Sequence, residues 1–106
     1  IRGPIDRMRI NHINENKYEV IVITNEDLPE ARFVCYGSSD NKEKERRVNI
    51  LKAYNDNENF RVTTNTFLAK NMIKGKNKFF IEIDQNIKIS PRLWMLKDNE
   101  KGNNNE

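Results

Sequence analysis

Apolar and polar residues alternate with a period of two along much of this chain, most densely between Tyr18 and Tyr36. The run Tyr18-Glu19-Val20-Ile21-Val22-Ile23-Thr24 puts Tyr18, Val20, Val22 and Thr24 on one face of an extended segment and Glu19, Ile21 and Ile23 on the other. In Ala31-Arg32-Phe33-Val34-Cys35-Tyr36 the residues Phe33 and Cys35 oppose Arg32, Val34 and Tyr36. β-Branched and aromatic side chains fit a pleated surface, whereas the intervening Asn25-Glu26-Asp27-Leu28-Pro29-Glu30 is rich in residues that end strands. The pattern predicts two neighbouring strands for which other segments supply partners. The Val/Ile content of the first run also predicts that both of its faces are at least partly covered.

Upstream, Met8, Ile10 and His12 alternate with Arg7, Arg9 and Asn11, and Asn14-Glu15-Asn16 predicts a hairpin into the Tyr18 strand. After the Gly37-Ser38-Ser39 turn, residues 40–55 fit two structures. A short helix would have Ser39 or Asp40 as N-cap and Val48, Ile50, Leu51 and Tyr54 at helical spacings. A strand over Arg46–Tyr54 is favoured, because Asp56-Asn57-Glu58-Asn59 then closes a hairpin onto Phe60-Arg61-Val62-Thr63. The segment Phe67–Ile73 is expected to enter a tight hairpin at Lys74-Gly75-Lys76-Asn77, where Gly75 can take positive φ without steric cost. In Lys78–Asp84, Phe79, Ile81 and Ile83 point inward, with Phe80 the exception on the polar face. Ile87-Lys88-Ile89 predicts an edge strand stopped by Ser90-Pro91. The apolar Arg92-Leu93-Trp94-Met95-Leu96 then plugs the core or docks on a partner, and Trp94 as core plug is the favoured role.

About seven or eight short strands, with turns roughly every 8–12 residues, predict an all-β fold: an antiparallel sandwich or a small β-barrel. Across roughly residues 6–90 the order of strands resembles that of bacterial immunoglobulin-like modules, which often sit beside other domains in long chains. The resemblance lies in spacing and alternation; it implies a two-sheet sandwich and carries over no functional residue. Residues 1–5 read as a leading linker, 6–96 as a single β domain and 97–106 as a disordered tail. The first residue is Ile1 rather than Met, so the chain reads as a piece of something longer.

Composition narrows the picture further. The chain has 106 residues, 36% hydrophobic and 33% charged, so one thin core must be drawn from a few concentrated segments. Its net charge of +3 comes from interleaved signs, as in Lys42-Glu43-Lys44-Glu45-Arg46-Arg47, and not from one basic block. A single cysteine, Cys35, rules out an internal disulfide and reads as a buried structural thiol. Without a long apolar run, no membrane insertion is expected.

No catalytic constellation stands out, and no enzyme, cofactor or metal site is expected. His12 is the single histidine, and Asp56-Asn57-Glu58-Asn59 lacks the glycine and distal glutamate of a calcium loop. Glu82 and Asp84 share a strand face near lysines, as ordinary surface charge does. The leading expectation is therefore a non-catalytic β-sandwich module of a larger protein that contacts another protein or a glycan. Trp94 would supply an apolar interface, and Tyr36 and Tyr54 rings that stack on sugars. The alternative is a small β-barrel that holds single-stranded nucleic acid through a lysine-rich hairpin. Lys74, Lys76 and Lys78, with Lys70, would track phosphates beside Phe79 and Phe80, and Arg7 and Arg9 could extend the patch.

Overall fold

A computed structural model describes residues 3–38, 44–84 and 89–96. They form nine strands: β1 (Ile5–Asn14), β2 (Lys17–Thr24), β3 (Leu28–Ser38), β4 (Arg46–Arg47), β5 (Ile50–Tyr54), β6 (Arg61–Thr63), β7 (Thr66–Met72), β8 (Gly75–Ile83) and β9 (Ser90–Leu96). Residues 46–54 are extended, as the strand alternative has it, but they split into β4 in one sheet and β5 in the other. Val48, Ile50 and Ala53 are buried. Tyr54, expected on the same face as Val48 and Ile50, is not among them because the β5–β8 register shifts between Ile50 and Lys52. Residues 40–43 lie outside the described residues, as do Ile87, Lys88 and the expected tail, 97–106.

The strands make two antiparallel sheets that pack face to face and do not close into a barrel. The first sheet runs β1-β2-β8-β5. In the second, β3 is central. At Val34 it is flanked by Thr66 of β7 and Trp94 of β9, and at Tyr36 by Arg47 of β4 and Arg92 of β9. A strand has only two edges, so β9 lines one edge of β3 while β7 and then β4 line the other, with β6 beyond β7. The two-sheet antiparallel sandwich that the sequence predicts is present. The strand order is the chain's own, with β8 between β2 and β5 and β9 bonded directly to β3.

Alternation placed the core correctly. Tyr18, Val20, Val22, Phe79, Ile81 and Ile83 enter it from the first sheet, and Phe33, Cys35, Phe67 and Ala69 from the second. The rings of Phe33, Phe60, Phe67 and Phe79 cluster at its centre, with Phe67 and Phe79 edge-to-face at 5.5 Å. Where β7 gives way to β4 along β3, Asn65 fills the gap. Its backbone oxygen accepts from the Cys35 N–H (2.8 Å), and its buried side-chain amide donates to the Cys35 carbonyl (3.2 Å). A buried polar side chain is thereby satisfied within the sheet.

Several connections differ from expectation, because the chain changes sheet where neighbouring strands or a hairpin were read. The central runs, β2 and β3, are consecutive but lie in opposite sheets. Lys74-Gly75-Lys76-Asn77 likewise belongs to a crossing, since β7 pairs with β3 and β6 whereas β8 pairs with β2 and β5. Gly75 does take positive φ, at 107°. Asn77 holds this crossing: its amide donates to the Ile73 carbonyl (2.9 Å) and its Oδ1 accepts from the Ile73 N–H (3.0 Å). Asp56-Asn57-Glu58-Asn59 joins β5 to β6 in the other sheet, leaving one Tyr54–Asn59 bridge in place of a hairpin ladder.

Three further readings are corrected. Ile5, assigned to the linker, is buried at the start of β1. Ser90-Pro91 opens β9 instead of stopping a strand, because an edge strand tolerates a residue without an N–H. Trp94 does not plug the core: it is 51% exposed on the outer face of β9, and its neighbours Leu93 and Met95 take the inward positions.

Candidate binding face

The outer face of the first sheet is built by register. Arg7 of β1 stands opposite Ile23 of β2, which stands opposite Lys76 of β8. One step along, Arg9, Ile21 and Lys78 form the next row, and Asn11, Glu19, Phe80 and Tyr54 the third. Lys17, Glu82 and Lys52 complete the array. Alternate residues along a strand lie about 7 Å apart and strands two removed about 10 Å apart, so Arg7, Arg9, Lys76 and Lys78 frame Ile21 and Ile23. These four cations are exposed, and among the described residues none makes an ion pair. Asp6, at the bulge before Arg7, accepts a hydrogen bond from Asn25 (3.0 Å).

Beside this cationic block lies an aromatic pair. The rings of Tyr54 and Phe80 are 5.5 Å apart and tilted by 31°. Lysines cap them: the Lys17 Nζ lies 4.9 Å from the Phe80 centroid and 5.6 Å from that of Tyr54. Lys52 approaches Tyr54 at 4.8 Å and Lys78 approaches Phe80 at 6.0 Å. At exposed sites each such contact contributes about 0.5–1 kcal/mol, enough to orient a lysine but not to fix it. The Tyr54 hydroxyl donates to Glu82 Oε2 (3.3 Å), and Asn11 Nδ2 donates to Glu19 Oε1 (3.2 Å). The Lys17 ammonium is held above its ordinary pKa, first by its hydrogen bond with Tyr54 and then by the charges of Tyr54 and Glu82, with desolvation opposing.

This arrangement divides the residues selected from sequence. Tyr54, Lys76 and Lys78 share the first-sheet face. Lys74 sits at the crossing beyond it, its backbone N–H donating to Asp27 Oδ1 (2.8 Å). Lys70 is on β7 in the other sheet, opposite Glu30. Tyr36 and Trp94 lie together on the outer face of the second sheet, where Arg92 pairs with Glu45 at 3.4 Å. Phe79 is in the core and Phe80 on the surface. Sequence reasoning did not select Lys17 and Lys52; their position flanking an outward aromatic depends on which strands pair.

Neither reactive side chain offers ready chemistry. Cys35 is fully buried, and burial, with the charge of Glu45 adding, pushes its thiol up to about 12, so the nucleophilic thiolate is suppressed at neutral pH. His12 is exposed on edge strand β1, with Nε2 3.0 Å from the Glu15 carbonyl and its ring 4.8 Å from that of Tyr18. Among the described residues no group of three His, Cys, Asp or Glu side chains could hold a metal ion, and no helix is long and apolar enough to cross a membrane.

No family model, curated protein or solved structure matches the chain. Its own geometry is what bears on function.

Proposed function

We propose that the protein is a non-catalytic binding module and that the outer face of its first sheet takes up an anionic partner. The observation that carries this reading is the register that brings Arg7, Arg9, Lys76 and Lys78 around Ile21 and Ile23. Four cations on a rigid sheet steer an anion before contact, and the isoleucines between them offer apolar surface once it has docked. Compared with a general protein or glycan contact, this reading specifies the partner's charge.

Heparin serves as a generic polyanion for the test. Binding is expected at low salt and weakens as salt rises. Reversing the four cations together, as R7E, R9E, K76E and K78E, abolishes it. Reversing Arg47 and Arg61, which lie on strands of the second sheet, changes it only a few-fold. Absence of binding at low salt, or equal loss in both sets, overturns the reading.

A second reading rests on Trp94, 51% exposed beside Leu96 at 40% on β9: a protein or glycan held on the second sheet. Trp94 is the single tryptophan, so its emission reports on that face. In the same titration its emission stays unchanged under the first reading and shifts under the second.

A further inference from the structure

We infer that the anionic partner is a single-stranded nucleic acid, with Arg7, Arg9, Lys76 and Lys78 as the phosphate track and the Phe80–Tyr54 pair as the base platform; this rests on the polyanion reading above. Three features of the face converge on that ligand. The first is spacing. Cations at alternate positions of β1 and β8 recur about every 7 Å along each strand, a step comparable with that between successive phosphates of an extended single strand.

The second feature is the order of residues along β8. Its outward positions read Lys76, Lys78, Phe80 and Glu82, so the cationic block passes directly into an aromatic step. Phe80 is joined across the strand gap by Tyr54 at 5.5 Å. A polymer lying over β2, parallel to β8, would set its charged backbone between the two rows of cations and one or two planar groups against the rings. An acidic polysaccharide satisfies the first requirement and can lay only the C–H face of a puckered ring on the pair; a nucleic acid strand, with a flat base on every repeat, satisfies both.

The third is the balance of competing contacts. Lys17, Lys52 and Lys78 lie over the two rings in the free protein. Each ring carries two ammonium groups, so clearing it costs a factor of about 5–30 in affinity. Stacking a base on an aromatic side chain gains a factor of about 5–150. The stacking gain extends above that cost, and the displaced ammonium groups become available to neighbouring phosphates. Glu82, held by the Tyr54 hydroxyl at the far end of the row, marks where the track stops being favourable for an anion.

The experiment compares three probes by fluorescence anisotropy: a thymidine oligonucleotide of about 12 nucleotides, an abasic strand of the same length, and heparin. The thymidine strand is expected to bind about 10-fold or more tightly than the abasic strand. With four phosphate contacts its affinity falls with a log–log salt slope of about −2.8. F80A removes the preference for bases while leaving abasic and heparin binding in place, and a matching thermal melt confirms that the variant is folded. Y54A, on the other strand of the pair, gives an independent loss in the same direction. If the thymidine and abasic strands bind equally and both variants are silent, the face holds polyanions without reading bases and this inference fails while the functional reading stands. If tight thymidine binding is lost on W94A instead, the base platform lies on the second sheet and the inference also fails. If none of the three probes binds, both fail.

Discussion

Phe79 and Phe80 are adjacent on β8 and end on opposite sides of one sheet. Phe79 is 1% exposed and meets the rings of Phe33, Phe60 and Phe67 at 5.5–6.0 Å. Phe80 lies outside, against Tyr54 and beneath the ammonium groups of Lys17 and Lys78. Both rings make aromatic contacts at nearly the same separation, yet they do different work. The interior group is closed on all sides, and its energy comes from removing apolar surface from water. The exterior pair is capped by side chains that water can release, so its contacts can be exchanged for those of a ligand at little cost. A ring count along the chain would treat these residues alike; strand alternation separates them.

The largest expected effect tests that separation directly. Phe79→Ala should cost about 3–5 kcal/mol of stability in a denaturant titration, because it opens a cavity in the cluster of four rings. Phe80→Ala should cost about 1 kcal/mol, the scale of a cross-strand pair with its cation contacts. Equal costs would mean that the outer pair is a second core and not a recognition surface.

Next comes Gly37, on the inner side of the second sheet. A Cβ added there would lie 2.6 Å from Ile89 Cγ2 and 2.9 Å from the Ser90 carbonyl oxygen, at the start of β9. Gly37→Ala should therefore destabilise the fold by about 1–3 kcal/mol through overpacking. Polyanion binding should survive wherever the fold does, because the first sheet is untouched. A variant as stable as the parent would show that β9 is held less closely than the geometry implies.

The last effect, small over the pH range measured, is confined to alkaline solution. The buried thiol of Cys35 has its pKa raised from 9.0 to about 12, so the unfolded chain gives up its proton first. The stabilisation this group contributes is complete below about pH 9 and declines by about 1.4 kcal/mol per pH unit towards pH 12. Unfolding titrations at pH 8 and pH 10 should differ through this group by about 1.4 kcal/mol in total in the parent, and by less in Cys35→Ala. An unchanged slope would place the thiol in contact with water and move Cys35 out of the interior half of the comparison.

Much of the fold could be read directly from residue order. The inward faces of β2, β3 and β8 follow from alternation, as does the isolation of Phe80 on the polar side. The β1–β2 hairpin followed from its Asn14-Glu15-Asn16 turn. The site was legible only in fragments. Tyr54, Lys76 and Lys78 were selected for separate reasons, the two lysines as part of a hairpin that proves to be a crossing between sheets. Arg7 and Arg9 could be named only as an extension, since nothing local fixes which strand lies two away from β1.

By itself, then, the order of residues determined where strands form and which side of each is buried. Both follow from a period of two and the exclusion of apolar side chains from water, properties that act within a few residues. Only the tertiary structure decided which strands pair and in what register. Backbone hydrogen bonds are nearly blind to side-chain identity, and a Gly- or Pro-bearing turn serves a hairpin or a change of sheet equally well. The cationic rows and the Tyr54–Phe80 pair are products of that register, assembled from β1, β2, β5 and β8 across the sheet.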